Sequence, residues 1–152
     1  LLDIGVYALS IVRSFMTEKP ADIVSQWKMS PAGSDEQAAI LLKNKDGQMA
    51  TVALSLHSKQ PKRAMISCEK GYIEFMEYPR ADRAKIVDAS TGEKKEISCG
   101  KTEDALFYEM TDMERAVESG DETEMYLNYT KDVMDIMTGL RREWGLKYPE
   151  EM

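Results

Sequence analysis

The chain has 152 residues, 43% hydrophobic and 31% charged, with a formal net charge of −7. That balance fits one folded domain with its own core and excludes a disordered tail. The acidic surplus also excludes bulk electrostatic binding to nucleic acid or to an anionic membrane, because both need clustered positive charge; Lys62–Arg63 and Arg141–Arg142 are short pairs beside acidic residues.

Residues 2–16 carry Ile4, Ala8, Ile11 and Phe15 at helical offsets, which predicts a helix with that stripe buried. Glu18-Lys19-Pro20 is the expected stop, since Pro20 cannot continue the hydrogen-bond ladder. Residues 21–29 read as extended. Residues 37–43 and 48–57 read as two strands joined at Lys45-Asp46-Gly47, and the second alternates: Ala50, Val52, Leu54 and Leu56 against Met49, Thr51, Ala53 and Ser55. Residues 63–68 with 72–77, and 84–88 with 94–98, read as two further hairpins. Thr102-Glu103-Asp104 precedes a helix marked by Leu106, Met110, Met113 and Val117 and stopped at Gly120. A last helix, 122–143, aligns Met125, Tyr129, Val133, Ile136 and Leu140 and closes at Trp144-Gly145.

Consecutive hairpins between helices predict the α+β class, with a predominantly antiparallel open sheet and helices on one face, over a single domain of residues 1–152. The face opposite the helices shows Met49, Thr51 and Ala53 in one strand and Tyr72, Glu74 and Met76 in another. Such a surface suits packing against another subunit or domain.

Cys68 and Cys99 fall in strand-like stretches and read as packed free thiols, which fits a reducing cytoplasm. With one histidine and two cysteines there is no metal-ligand spacing. No run approaches the roughly 18–20 apolar residues of a membrane helix. The chain opens on Leu-Leu-Asp, already in helical pattern and with no basic leader, so it reads as part of a longer polypeptide rather than a secretory precursor. No glycine-rich strand-to-helix turn, serine elbow or zinc helix occurs.

Chemistry concentrates at the start. Asp3 and Tyr7, four apart, share a helix face that Ser10 and Ser14 extend, away from the predicted apolar stripe. Gly5 between them weakens a helix by about 1 kcal/mol relative to alanine, a cost that close approach of another backbone or a ligand would explain. A tyrosine hydroxyl transfers a proton to or from a carbinol once a cation or hydrogen bond lowers its pKa from about 10. On spacing alone the pair reads as a capping and surface feature of a helix start.

Leu1-Leu2-Asp3-Ile4-Gly5-Val6-Tyr7 resembles the first catalytic-domain helix of the Gfo/Idh/MocA oxidoreductase family, with its Asp-x-Gly-x-His/Tyr pattern. The order of elements continues the resemblance, through Tyr108-Glu109-Met110 to the closing Arg141-Arg142-Glu143-Trp144-Gly145-Leu146-Lys147-Tyr148-Pro149-Glu150. The resemblance implies a glyceraldehyde-3-phosphate dehydrogenase-like C-terminal domain. It also implies an N-terminal Rossmann domain of the same polypeptide that holds NAD or NADP, and a sugar, polyol or diol substrate. By the same resemblance Tyr7 is the acid/base, Asp3 its orienting partner, and the open sheet face forms a homodimer. Tyrosine in the motif is closer to the glucose–fructose oxidoreductase and dimeric dihydrodiol dehydrogenase branches.

The isolated chain is then expected to bind no dinucleotide and to be inactive; the rival reading is a non-catalytic assembly module. Glu18-Lys19-Pro20 spells the family's catalytic lysine motif, but it follows a helix rather than a Rossmann strand and reads as a turn. His57, after the alternating strand, is a candidate for a substrate hydroxyl or a surface residue. Tyr148 carries no assignable role. The eleven methionines read as core filler.

Overall fold

A computed structural model describes residues 3–147. Leu1 and Leu2 of the first motif, and Tyr148-Pro149-Glu150 of the closing segment, lie outside the described residues. The elements are α1 (Gly5–Phe15), β1 (Asp22–Met29), β2 (Asp35–Lys43), β3 (Met49–Ser55), β4 (Arg63–Cys68), β5 (Gly71–Met76), β6 (Arg83–Asp88), β7 (Lys94–Ser98), α2 (Ala105–Ser119) and α3 (Leu127–Glu143). Short 3-10 turns occupy Tyr78–Arg80, Thr102–Asp104 and Thr123–Met125.

All strand pairs are antiparallel, in the α+β class that the hairpins predict. They form two ladders where one sheet is expected: β1-β2-β3 and β4-β5-β6-β7. The break follows β3. Residues 56–60 fold back on the first sheet, with the Leu56 N–H donating to the Glu36 carbonyl (3.0 Å) and Gln60 Nε2 to the Ala53 carbonyl (2.9 Å). Pro61, without an N–H, then separates this segment from β4. The chain packs as two compact units, residues 1–60 with 128–152, and 61–127.

In the first unit the register puts Ile23, Ser25 and Trp27 of β1, Ala38, Ile40 and Leu42 of β2, and Ala50, Val52 and Leu54 of β3 on one face. Ala38, Ile40, Leu42, Val52 and Leu54 are buried. α1 packs on β3, and α3 reaches β1 through Trp144, whose Nε1 donates to Ser25 Oγ (2.8 Å). α1 buries Gly5, Ala8, Leu9 and Arg13, followed by Met16; Phe15, expected inside, is exposed. The buried stripe is turned about one position from the predicted one because Arg13 belongs to it. α3 buries Val133, Ile136, Met137 and Leu140, close to the predicted stripe. The tight β2–β3 turn is closed by Gly47 at φ 83° and by a bidentate exchange in which Asn44 Oδ1 accepts from Gln48 N–H and Asn44 Nδ2 donates to Gln48 Oε1.

The second unit has a thinner core. Ala64, Ile66, Ile73, Phe75, Ala84 and Ile86 share one face of its sheet and are half-buried. The opposite face holds Arg63–Glu74 (2.9 Å) and Lys85–Glu74 (3.9 Å) ion pairs. β5 and β6 approach closely at Gly71, where a Cβ would lie 1.9 Å from the Val87 carbonyl oxygen. In α2 the predicted stripe is not the buried one: Leu106, Met110, Met113 and Val117 are exposed, and Ala116 is buried. Periodicity marks a face, but only packing decides which face finds a partner. Two other expectations fail similarly. Both cysteines are free but exposed, and Met29, Met49, Met65, Met76, Met110, Met113 and Met134 lie at the surface while only Met16 and Met137 are buried among these. Among the described residues, no helix is long and apolar enough to cross a membrane.

Candidate active site on the first helix

With Gly5, Ala8, Leu9, Arg13 and Met16 turned inward, the opposite face of α1 points to solvent. Asp3, Ser10 and Ser14 are exposed, and Tyr7 is 48% exposed. These side chains are therefore accessible from solvent. Asp3 lies in the turn that enters the helix, and α1 has no side-chain cap at its start, so the Asp3 carboxylate is not spent as an N-cap. The spacing brings Asp3 and Tyr7 to one side of the first turns.

What fixes this ridge in space is the other end of α1. Arg13 is 8% exposed; its Nε donates to Asp132 Oδ2 on α3 (2.7 Å), and Nη1 donates to the Met16 carbonyl (2.9 Å). Its guanidinium carbon lies 4.3 Å from the centre of the Tyr129 ring. Lys19, the lysine of Glu18-Lys19-Pro20, pairs with Asp135 (2.6 Å) on the same helix. That contact gives it a structural use, in line with its reading as a turn. Thr17 follows: its N–H donates to Gln48 Oε1 (2.9 Å) and its hydroxyl to Asp46 Oδ2. The last turn of α1 is thus tied to the start of β3, so the helix, which packs on β3, begins toward that strand's far end.

His57 lies just past that far end and is exposed. Its nearest charged neighbourhood is Glu36, in the β1–β2 bulge where Lys28 pairs Gln37 and Met29 pairs Asp35. Lys28 Nζ sits 2.8 Å from Glu36 Oε1; this ion pair first, and the His57 charge to a lesser degree, hold the Glu36 carboxyl below its usual range. Lys28 belongs to the open sheet face by register, so His57 shares the Lys28–Glu36 rim rather than the Tyr7 ridge.

Two features of this unit escape sequence reading. Arg13 reads as polar surface, although Gly5, Leu9 and Arg13 fall at intervals of four and could have marked one face. Trp27 and Trp144 stack with centroids 5.6 Å apart and planes inclined by 19°, a pairing between positions 117 residues apart that no local pattern signals.

Gly100, in the link from β7 to α2, packs against the Tyr108 ring, and the neighbouring Lys101 N–H donates to Tyr108 Oη (3.1 Å). No group of three or more His, Cys, Asp or Glu among the described residues is arranged to hold a metal.

Residues 1–74 match the model of the GFO/IDH/MocA C-terminal domain family. Those residues span α1, β1–β4 and part of β5. Similar solved structures include the aldose-aldose oxidoreductase of Caulobacter crescentus complexed with glycerol, at 18% identity and TM-score 0.72 over 93% of this chain and 44% of that one. Another is the UDP-N-acetylglucosamine 3-dehydrogenase GnnA of Acidithiobacillus ferrooxidans, at 17% identity and TM-score 0.67 over 78% and 38%. A third is KijD10, a 3-ketoreductase of Actinomadura kijaniata in complex with TDP-benzene and NADP, at 15% identity and TM-score 0.65 over 88% and 42%. At these identities the likeness establishes the fold. The chain spans 38–44% of the length of these proteins. No curated protein matches the sequence.

Proposed function

We propose that this chain is the substrate-facing half of an NAD(P)-dependent oxidoreductase that acts on a CH–OH group of a sugar, polyol or diol. Tyr7 takes the proton of the reacting hydroxyl, or returns it to the carbonyl, and Asp3 orients Tyr7 or the substrate. The observation that carries this reading is the exposure of Asp3, in the turn before α1, and of Tyr7, on α1, within the family-matched residues. The nicotinamide would be held by a Rossmann domain of the same polypeptide, as the family resemblance implies. By itself the chain should turn nothing over. In the full-length protein Tyr7→Phe should lower kcat by about 10²–10⁴-fold, the size of an acid/base contribution. An unchanged rate would remove Tyr7 from the chemistry. His57 is kept as a substrate-hydroxyl contact of lesser weight, since it lies with Glu36 and Lys28. The proposed location is a reducing cytoplasm, where two exposed thiols stay free.

A second reading rests on the open face of β1–β3, where Val24, Leu41 and Met49 are exposed beside Thr51 and Ala53. This surface suits a homodimer, with or without catalysis. Light scattering of the chain at high concentration tests it, and a clean monomer would count against it.

A further inference from the structure

We infer that Trp27 is a stacking platform for a pyranose ring, at the same end of the first unit as Tyr7. This rests on the proposed sugar-class substrate and names a contact for it. Trp27 is the last inward-facing residue of β1 before the bulge, and it is 38% exposed. Trp144 covers one face of its indole in a near-parallel stack at 5.6 Å. Trp144 itself is 5% exposed and held by its Nε1–H on Ser25 Oγ (2.8 Å). The Ser25 hydroxyl in turn donates to Glu143 Oε1 (3.1 Å). Trp27 is therefore backed by a fixed ring while 38% of the residue reaches solvent.

A rigid, half-exposed indole is a flat apolar surface with a negative π-face, which the axial C–H bonds of a sugar ring can cover. The second Glu143 oxygen and the net charge of −7 favour a neutral, hydroxyl-rich ligand over a phosphate-bearing one. Position agrees. Trp27 is level with Leu54 near the end of β3, through Ala38 of the strand between them, and α1 packs on β3.

The test is an NMR titration of the 152-residue chain with methyl β-glucopyranoside, reading both indole N–H resonances. The Trp27 resonance should shift saturably at millimolar sugar, and the Ser25-bound Trp144 resonance should move far less. Measured by calorimetry with the same sugar, Trp27→Leu should abolish binding and Trp27→Phe should retain a weaker one; an unchanged far-UV circular dichroism spectrum certifies the fold in each variant. An equal response to open-chain sorbitol, a linear drift, persistence of binding in Trp27→Leu, or stronger saturation by uridine monophosphate would overturn the assignment. The rate of full-length Tyr7→Phe and the titration of the unsubstituted chain are independent readouts, so failure of the acid/base reading and failure of the platform are separately visible.

Discussion

Arg13 crosses from α1 to Asp132 with Nε 2.7 Å from Oδ2, caps the Met16 carbonyl, and lies over Tyr129. Its planar fork makes these contacts at once, which a lysine ammonium cannot do. Arg13→Met should cost about 2–3 kcal/mol, less than the roughly 3–5 of a fully buried pair, because Asp132 keeps 21% of its side chain exposed. Urea denaturation measures it, with Arg13→Lys expected to recover about half. Asp88 poses a different question. Hydrogen bonds from Ser90 and Thr91 lower its pKa from the ordinary 3.8 to about 2. The folded value is depressed, so this turn's contribution is whole above about pH 4 and is lost as pH falls toward 2. An NMR titration should find the Asp88 midpoint near 2, and a midpoint near 4 would show that the turn is open. Neither residue was legible beforehand: Arg13 needed a partner 119 positions away, and Asp88 needed the turn that follows it.

Elements were more readable than the residues that join them. All seven strands fall where alternation and turn residues predict, because period two survives any tertiary context that buries one face. Helix faces fared worse. α1 is turned by one position, and α2 leaves its apolar stripe outside, since hydropathy ranks side chains without knowing what packs on them. Close backbone approach is likewise silent in sequence. Gly71→Ala would drive a methyl into the Val87 carbonyl, parting β5 from β6. The expected loss is about 1–3 kcal/mol, the range for overpacking. It should appear as faster amide exchange through β4–β7, with β1–β3 unaffected; uniform exchange across all strands would contradict the close approach.

On the scale of the molecule, the two units differ in how much they bury. Only Val87 and Ala116 among the buried hydrophobic residues belong to the second; the rest, from Ala8 to Trp144, belong to the first. Both tryptophans also belong to the first. Tryptophan fluorescence should therefore report a later urea transition than far-UV circular dichroism, which sees both units, and coincident curves would show one cooperative whole. The candidate site was legible only in part: spacing indicated a ridge, and the family resemblance supplied a chemistry for it. The split into two ladders was not legible, because a hairpin series reads the same whether or not one junction pairs. The sheet order carries a last consequence. Cys68 ends edge strand β4 and Cys99 follows the opposite edge strand β7, which runs the other way, so the thiols stand at diagonal corners. Three strand spacings alone separate them by about 14 Å, well past the reach of about 7 Å between Cα atoms in a disulfide. The second unit thus carries two attachment points for paired dyes or spin labels, whose separation would gauge that sheet's integrity without any added cysteine.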